Sequence, residues 1–192
     1  MKIRAPAKIN LSLRVIGKRA DGYHELDTIM VPVSLYDEIE IRQIRRATSR
    51  CKFSAQVVIH CSNPQVPLGQ DNIAYRAAEL LIAKAKIRQP VAIRIHKNIP
   101  IGAGLGGGSS DAAAVLIGLN RMWKLGFSVR QLQRLALQLG ADVPFFIRAK
   151  PARARGIGEK LQLLPKLRRR WLVLVYPGFP VATAWVYGNL SL

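Results

Sequence analysis

Pro100-Ile101-Gly102-Ala103-Gly104-Leu105-Gly106-Gly107-Gly108-Ser109-Ser110-Asp111 is the stretch on which the reading of the whole chain turns. Five glycines fall between residues 102 and 108, and each removes a side chain that would hold the backbone away from a bound anion. The apolar, alanine-rich run from Ser109 to Met122 predicts a buried helix directly after the loop. The unpaired N–H groups and positive dipole end of such a helix face back into the loop. Just upstream, Val91, Ile93 and Ile95 alternate with Ala92, Arg94 and His96, which predicts a strand. Ser109 and Ser110 add hydroxyls able to bind phosphate or a metal-bound water. Strand, glycine loop and helix start together make a phosphate cradle.

Several kinds of cradle compete. Gly102, Gly104 and Gly107 satisfy a GxGxxG pattern, but a dinucleotide fold also wants an acidic residue about 20 positions on to hold the ribose. None occurs between Asp111 and Asp142. A Walker A loop needs Lys before the Ser/Thr, and Gly108 stands there instead. The HRD and DFG signatures of protein kinases are absent.

Outward from the loop, the pattern is mixed. Ile3, Ala5, Ala7, Ile9, Leu11, Leu13 and Val15 share one parity, predicting a half-buried strand broken by Pro6 and closed by Gly17. Asp21-Gly22 marks a turn. Leu26–Leu35, Ile39–Ile41 and Val57–Ile59 read as further strands, and Trp171–Val175 as a last one. Asp71 is placed as the N-cap of a helix carrying Ile73, Ala74, Ala77, Leu80 and Leu81 on one face. Ser128 caps another helix, which runs to a stop at Gly140. Strands first and helices after give an α+β domain rather than a regular βαβ chain.

At 192 residues, 49% hydrophobic and 21% charged, the chain is ordinary globular material. Two cysteines, Cys51 and Cys61, make no disulfide framework and no metal spacing. No secretory signal or spanning apolar run is present, so the expected setting is soluble and cytoplasmic, with no membrane partner. The net charge of +19 is the unusual number. Its local knots, Arg42, Arg45, Arg46, Arg50 and Lys52, then Lys166 and Arg168–Arg170, lack the aromatic interleaving of a single-strand binder. A basic field that draws in anionic metabolites is favoured over nucleic-acid binding, which stays the more distant alternative.

Taken together, Pro100–Ala113, Pro6-Ala7-Lys8-Ile9-Asn10-Leu11, Asp21-Gly22-Tyr23-His24-Glu25-Leu26 and Ala141-Asp142-Val143-Pro144-Phe145-Phe146 resemble the GHMP kinase superfamily, which includes galactokinase, homoserine kinase and mevalonate kinase. The likeness narrows to a branch acting on a cytidine diphosphate-linked polyol of the non-mevalonate isoprenoid pathway. It implies the N-terminal GHMP fold (ribosomal protein S5 domain 2-like, a mixed sheet with helices on one side) over residues 1–165. Residues 166–192 would begin a truncated C-terminal domain. It also implies transfer of the ATP terminal phosphate to a hydroxyl. Asp142 matches the catalytic aspartate and Lys8 the lysine paired with it. The equivalent of Asn10 contacts the substrate near that hydroxyl. Tyr23 would stack on the cytosine, His24 bond its edge, and Tyr187 supply a second ring. Asn72 and Lys97 match positions lining the nucleotide cleft, beside the loop residues Pro100 to Ser110. ATP and Mg²⁺ are the expected cofactors; Ser109, Ser110 and Asp111 could all reach the metal, and its ligands stay undecided, as does the oligomeric state.

Read without the likeness, Asp142 could serve a helix-terminal turn, Lys8 could be a solvated strand lysine, and Tyr23 could cover a core edge. Two departures stand out. Family members carry a glycine-rich pair after the Phe-Phe, where this chain reads Ile147-Arg148-Ala149-Lys150-Pro151; this predicts a stiffened loop on the substrate side. The second domain of the family is missing, so apolar surface is expected to be exposed and turnover by the chain alone to be weak or absent.

Overall fold

The computed structural model describes residues 1–44, 56–165, 167–179 and 186. Tyr187, Cys51, Lys166, Arg45, Arg46, Arg50, Lys52 and the element expected near Val181 lie outside them. Elements follow in the order β1 (Lys2–Lys18), β2 (His24–Gln43), β3 (Val57–Cys61), α1 (Ile73–Ala85), β4 (Val91–His96), α2 (Gly107–Met122), α3 (Val129–Leu137), α4 (Val143–Arg148), β5 (Ala152–Gly156) and β6 (Lys160–Leu163).

Among the described residues the strands form one six-stranded mixed sheet, organised along β2. One edge of β2 pairs antiparallel with β1 along its length. Glu38 pairs both Arg4 and His96, and Leu26 pairs both Val15 and Gly156. β4 and β5 therefore share the other edge, β4 against residues 38–43 and β5 against residues 26–30. β3 adds to β4 in parallel, and the helix between them, α1, is the crossover. One sheet face is buried by Ile39, Ile41, Val57, Ile59, Val91, Ile93, Ile95, Ala152 and Ala154; Arg94, His96, Arg153 and Arg155 alternate onto the exposed face. The helices cover the buried face, as the α+β reading expects.

The parity pattern of β1 needs correction. Leu11 and Ile16 are unopposed bulge residues, at register shifts between Asn10 and Ser12 and between Val15 and Gly17. Leu11 and Leu13 are exposed rather than buried, and so are Ser12 and Arg14: this stretch of the hairpin has both faces in solvent. Pro6 does not break the strand; a further shift between Pro6 and Ala7 leaves Ser34 and Leu35 of β2 unopposed. The two strands expected over 26–35 and 39–41 are the single β2, because this bulge bends the strand without ending its pairing.

Two other expectations fail. The N-cap of α1 is Asn72, not Asp71: its Oδ1 accepts from the Ala74 N–H at 2.8 Å. Trp171–Val175 is not a strand. It has strand composition, but a strand needs a ladder partner, and Trp171 and Val173 stand almost wholly in solvent. The Ser128 capping box is present as read.

The substrate-side loop also differs from expectation. After α4, Ala149 takes a left-handed conformation (φ 46°), the kind that favours glycine. The residues beyond Pro151 are strand β5 rather than a loop. Ala152 and Ala154 face the core, while Arg153 donates two hydrogen bonds to Asp27 on β2.

Helix α2 is the central packing element, lying against α1, α3, α4, β1 and β2. Leu116, Val115 and Leu119 are fully buried on it, each stabilising by about 1.5–3 kcal/mol relative to exposure. Gly118 lets the helix approach the sheet: a Cβ there would stand 2.7 Å from Ile3 Cδ1 and still nearer Ile41 Cδ1. Gly118→Ala would gain ~1 kcal/mol in helix propensity, but overpacking costs about 1–3 kcal/mol and Ile41 is wholly buried. The expected outcome is net destabilisation, read as a lower urea midpoint; an unchanged or higher midpoint contradicts this packing.

Candidate active site

The glycine loop connects the end of β4 to α2. Gly106 is the N-cap of α2 at φ 71°, a left-handed conformation suited to glycine, and its carbonyl accepts from the Ser110 N–H at 2.9 Å. A Cβ on Gly106 would stand 2.8 Å from Phe146 Cζ and 3.2 Å from Lys8 Cγ. The Lys8 N–H donates to Leu105 O at 2.9 Å. The loop backbone is thus seated between β1 and α4.

Lys8 is buried on β1. Its ammonium donates to Asn10 Oδ1 at 2.9 Å, on the same side of the strand, and lies 3.6 Å from Asp142 Oδ2. The second separation is an ion pair rather than a hydrogen bond. Asp142 is the N-cap of α4, but its side chain makes no capping bond. Its carboxylate is therefore not committed to turn chemistry and remains one-third exposed beside the lysine. Pro144 in the first turn of α4 suits a helix start, where its missing N–H costs nothing.

A second charged group underlies the loop. The Lys97 ammonium is buried between Asp37 and Asp111, donating to Asp37 Oδ2 and, at 2.8 Å, to Asp111 Oδ2. Burial alone would depress Lys97, but the Asp111 and Asp37 carboxylates outweigh it and raise its pKa. Burial pushes Asp111 up to about 7, with Lys97 opposing and Asp37 adding to the rise. Ser110 Oγ and Asp111 Oδ1 are buried without a hydrogen-bond partner among the described residues.

The structure thus brings together Lys8, Asn10, Asp142, Leu105 and Gly106, with Gly107, Ser110 and Lys97 at the helix start. Asn72 is buried as the cap of α1, and its amide donates to Pro67 O. Tyr23 and His24 sit at the β1–β2 turn, the far end of the hairpin from Lys8. The Tyr23 ring is exposed, and an Asp21 Oδ1 bond to its N–H holds the turn. Asp37 and the Phe146 seat were missed from sequence. Asp37 had a signal: it shares parity with the buried Ile39 and Ile41, and a carboxylate on a core-facing position demands a partner.

Comparison with known proteins bears on the fold and the family. The family described as GHMP kinases N terminal domain matches residues 72–150. The chain has the fold of the GHMP kinase N-terminal domain. It is 54% identical over 188 residues to a protein of Syntrophotalea carbinolica named 4-diphosphocytidyl-2-C-methyl-D-erythritol kinase, covering 98% of this chain and 64% of that one. A protein of the same name from Citrifermentans bemidjiense is 48% identical over 192 residues, covering 100% and 66%. The chain therefore spans somewhat under two thirds of the length of these curated relatives. A crystal structure of 4-(cytidine 5'-diphospho)-2C-methyl-D-erythritol kinase superposes with a TM-score of 0.77 at 39% identity, covering 100% of this chain and 65% of that one. The Methanococcus jannaschii mevalonate kinase, at 15% identity and TM-score 0.64, shares the fold. Nucleic-acid binding is not favoured by these relatives. No helix among the described residues is long and apolar enough to cross a membrane.

Two outcomes follow. Gly106→Ala would force a left-handed alanine, costing about 1–2 kcal/mol, and push Lys8 or Phe146 aside; we expect a folded protein with a lower urea midpoint, and an unchanged midpoint would contradict the close approach at this residue. Asp111, with its folded pKa above the ordinary 3.8, holds extra proton in the native state. Its stabilisation is fully present below about pH 4 and is lost as pH rises through about 7. Urea unfolding across that range should show a downward slope that Asp111→Asn removes; an unchanged slope in the variant would refute it.

Proposed function

We propose that this chain binds ATP on the Pro100–Ser110 loop and carries the groups that transfer the terminal phosphate to the 2-hydroxyl of 4-diphosphocytidyl-2-C-methyl-D-erythritol, in the cytoplasm, with weak or no turnover by the 192 residues alone. The observation that carries the reading is the Lys8 ammonium 3.6 Å from the Asp142 carboxylate, directly beside the loop that Gly106 allows to approach.

Phosphoryl transfer asks a protein mainly to position its reactants and neutralise charge. The loop amides and the start of α2 supply donors for phosphate oxygens. Asp142 accepts the hydroxyl proton as the oxygen attacks phosphorus. Lys8 offsets negative charge on the moving phosphoryl group. Asn10 fixes the Lys8 head group and lies where the acceptor hydroxyl would approach. Tyr23, exposed on its turn, offers a stacking face worth ~1–3 kcal/mol for a pyrimidine ring, with His24 beside it and Tyr187 as a second ring.

Mg²⁺ fits the oxygen donors present. Ser110 Oγ and Asp111 Oδ1 are hard oxygen atoms without protein partners, of the type that metal takes. No group of three or more His, Cys, Asp or Glu among the described residues forms a dedicated cage. These two residues would be the chain's share of the coordination, with phosphate oxygens completing it. When bound, the ion neutralises phosphate charge.

Asp142→Asn is expected to leave ATP affinity within about twofold while cutting transfer of labelled phosphate about 10²–10⁴-fold. Transfer at wild-type rate would remove Asp142 as the base. Absence of ATP binding in the wild-type chain would remove the kinase reading itself.

A further inference from the structure

Asp37, wholly buried, occupies the point where β4 leaves β2. The β2–β4 ladder runs from Glu38↔His96 to Gln43↔Val91 and does not extend to Asp37. The carboxylate of Asp37 takes over where the ladder ends. Its Oδ1 accepts from the N–H groups of Asn98 at 2.6 Å and Ile99 at 2.8 Å, the two residues before Pro100. Its Oδ2 accepts from the Lys97 ammonium.

The same ammonium reaches forward past the whole glycine loop to Asp111 Oδ2 on α2. Asn98 Nδ2 also donates to Tyr36 O at 2.8 Å, tying the loop entrance to β2 a second time. At the loop exit, a Cβ on Gly107 would stand 3.1 Å from Lys97 Nζ and 3.0 Å from Ile99 Cγ2. The first turn of α2 therefore rests directly on the ammonium and on the residue that opens the loop.

We propose that Asp37 is a positioning residue: through Lys97 and Asp111 it holds the two ends of the glycine loop at a fixed separation and so sets the aperture of the phosphate cradle. The physical case rests on directionality. Apolar contacts would hold these elements together as well as buried charges do, since desolvation offsets much of the Coulombic gain. They would not fix an aperture, because apolar packing is non-directional, whereas two carboxylates converging on one ammonium define distances and angles. The loop, made of glycines, has no side chains of its own to define its shape. That role falls to groups at its two ends. The word cradle rests on the kinase reading above; the clamp itself does not.

The test is amide hydrogen exchange on the 192-residue chain at about pH 8, with affinity for a non-hydrolysable ATP analogue measured alongside. In Asp37→Asn we expect the amides of residues 101–108 to exchange at least tenfold faster, those of α3 to keep wild-type rates, and analogue affinity to fall at least tenfold. Where transfer is measurable, kcat should fall with the KM for the alcohol unchanged, and Lys97→Arg should retain part of the protection. The proposal is overturned if folded Asp37→Asn shows wild-type loop exchange, or if α3 accelerates equally, which would mean general loosening. If Asp37→Asn does not fold, Asp111→Asn, which releases only the helix end of the loop, carries the same expectations and the same overturning results. A wild-type chain that binds no analogue, yet loses loop protection on Asp37→Asn, would remove the kinase reading and uphold the clamp.

Discussion

A main chain must come within touching distance of a lysine stem and a phenylalanine ring at Gly106, and only a residue without a Cβ can make that approach. This steric constraint ties β1, α4 and the start of α2 to one another, because any widening at Gly106 would separate Lys8 from the loop that it serves. Lys8 reinforces the contact from its own backbone by donating to Leu105. The result is that an ammonium and a carboxylate from distant parts of the chain meet beside the loop that opens α2.

The sheet is built to permit this meeting. Both β4 and β5 pair with the same edge of β2, one at each end, leaving the bulged middle of β2 for other contacts. Asp37 uses that freedom on the β4 side to anchor the loop entrance. On the other side β5 follows α4, the helix whose first residues carry Asp142. The loop and the carboxylate thus arrive from the two strands that share an edge, while Lys8 arrives from the strand on the opposite edge.

The large positive charge has an orderly distribution among the described residues. Four acidic side chains are engaged by arginines, Arg19 with Asp21 and Glu25, Arg42 with Glu40, and Arg153 with Asp27, whereas the exposed Glu38, Asp71 and Glu79 are in none of these pairs. Exposed pairs of this kind contribute little to stability. Their main effect is to mask negative charge at those points of a surface that carries a large excess of cations. Two carboxylates against one ammonium are buried beneath the loop instead, where their geometry rather than their net charge matters.

How much was legible beforehand differs by range. The glycine loop, the helix after it, the capped α3 and the strand β4 could be read from contiguous residues, because glycine content, capping hydroxyls and periodicity act within a few positions. Lys8 and Asn10 on one side of a strand followed from the two-residue repeat. That repeat misled at Leu11 and Leu13, since alternation marks a strand but does not show whether anything packs on its apolar face, and here both faces stand in solvent. Trp171–Val175 misled for a related reason: strand composition does not provide a neighbour to pair with. By itself the sequence determined the glycine loop, the Ser128 cap and the general α+β layering, all of which depend on local chemistry. Only the tertiary structure decided that Asp142 would face Lys8 rather than cap its helix, and that Lys97 would be shared by Asp37, 60 positions away, and Asp111. Those meetings depend on strand register, bulges and the close approach at Gly106, which arise only once the sheet and helices have packed.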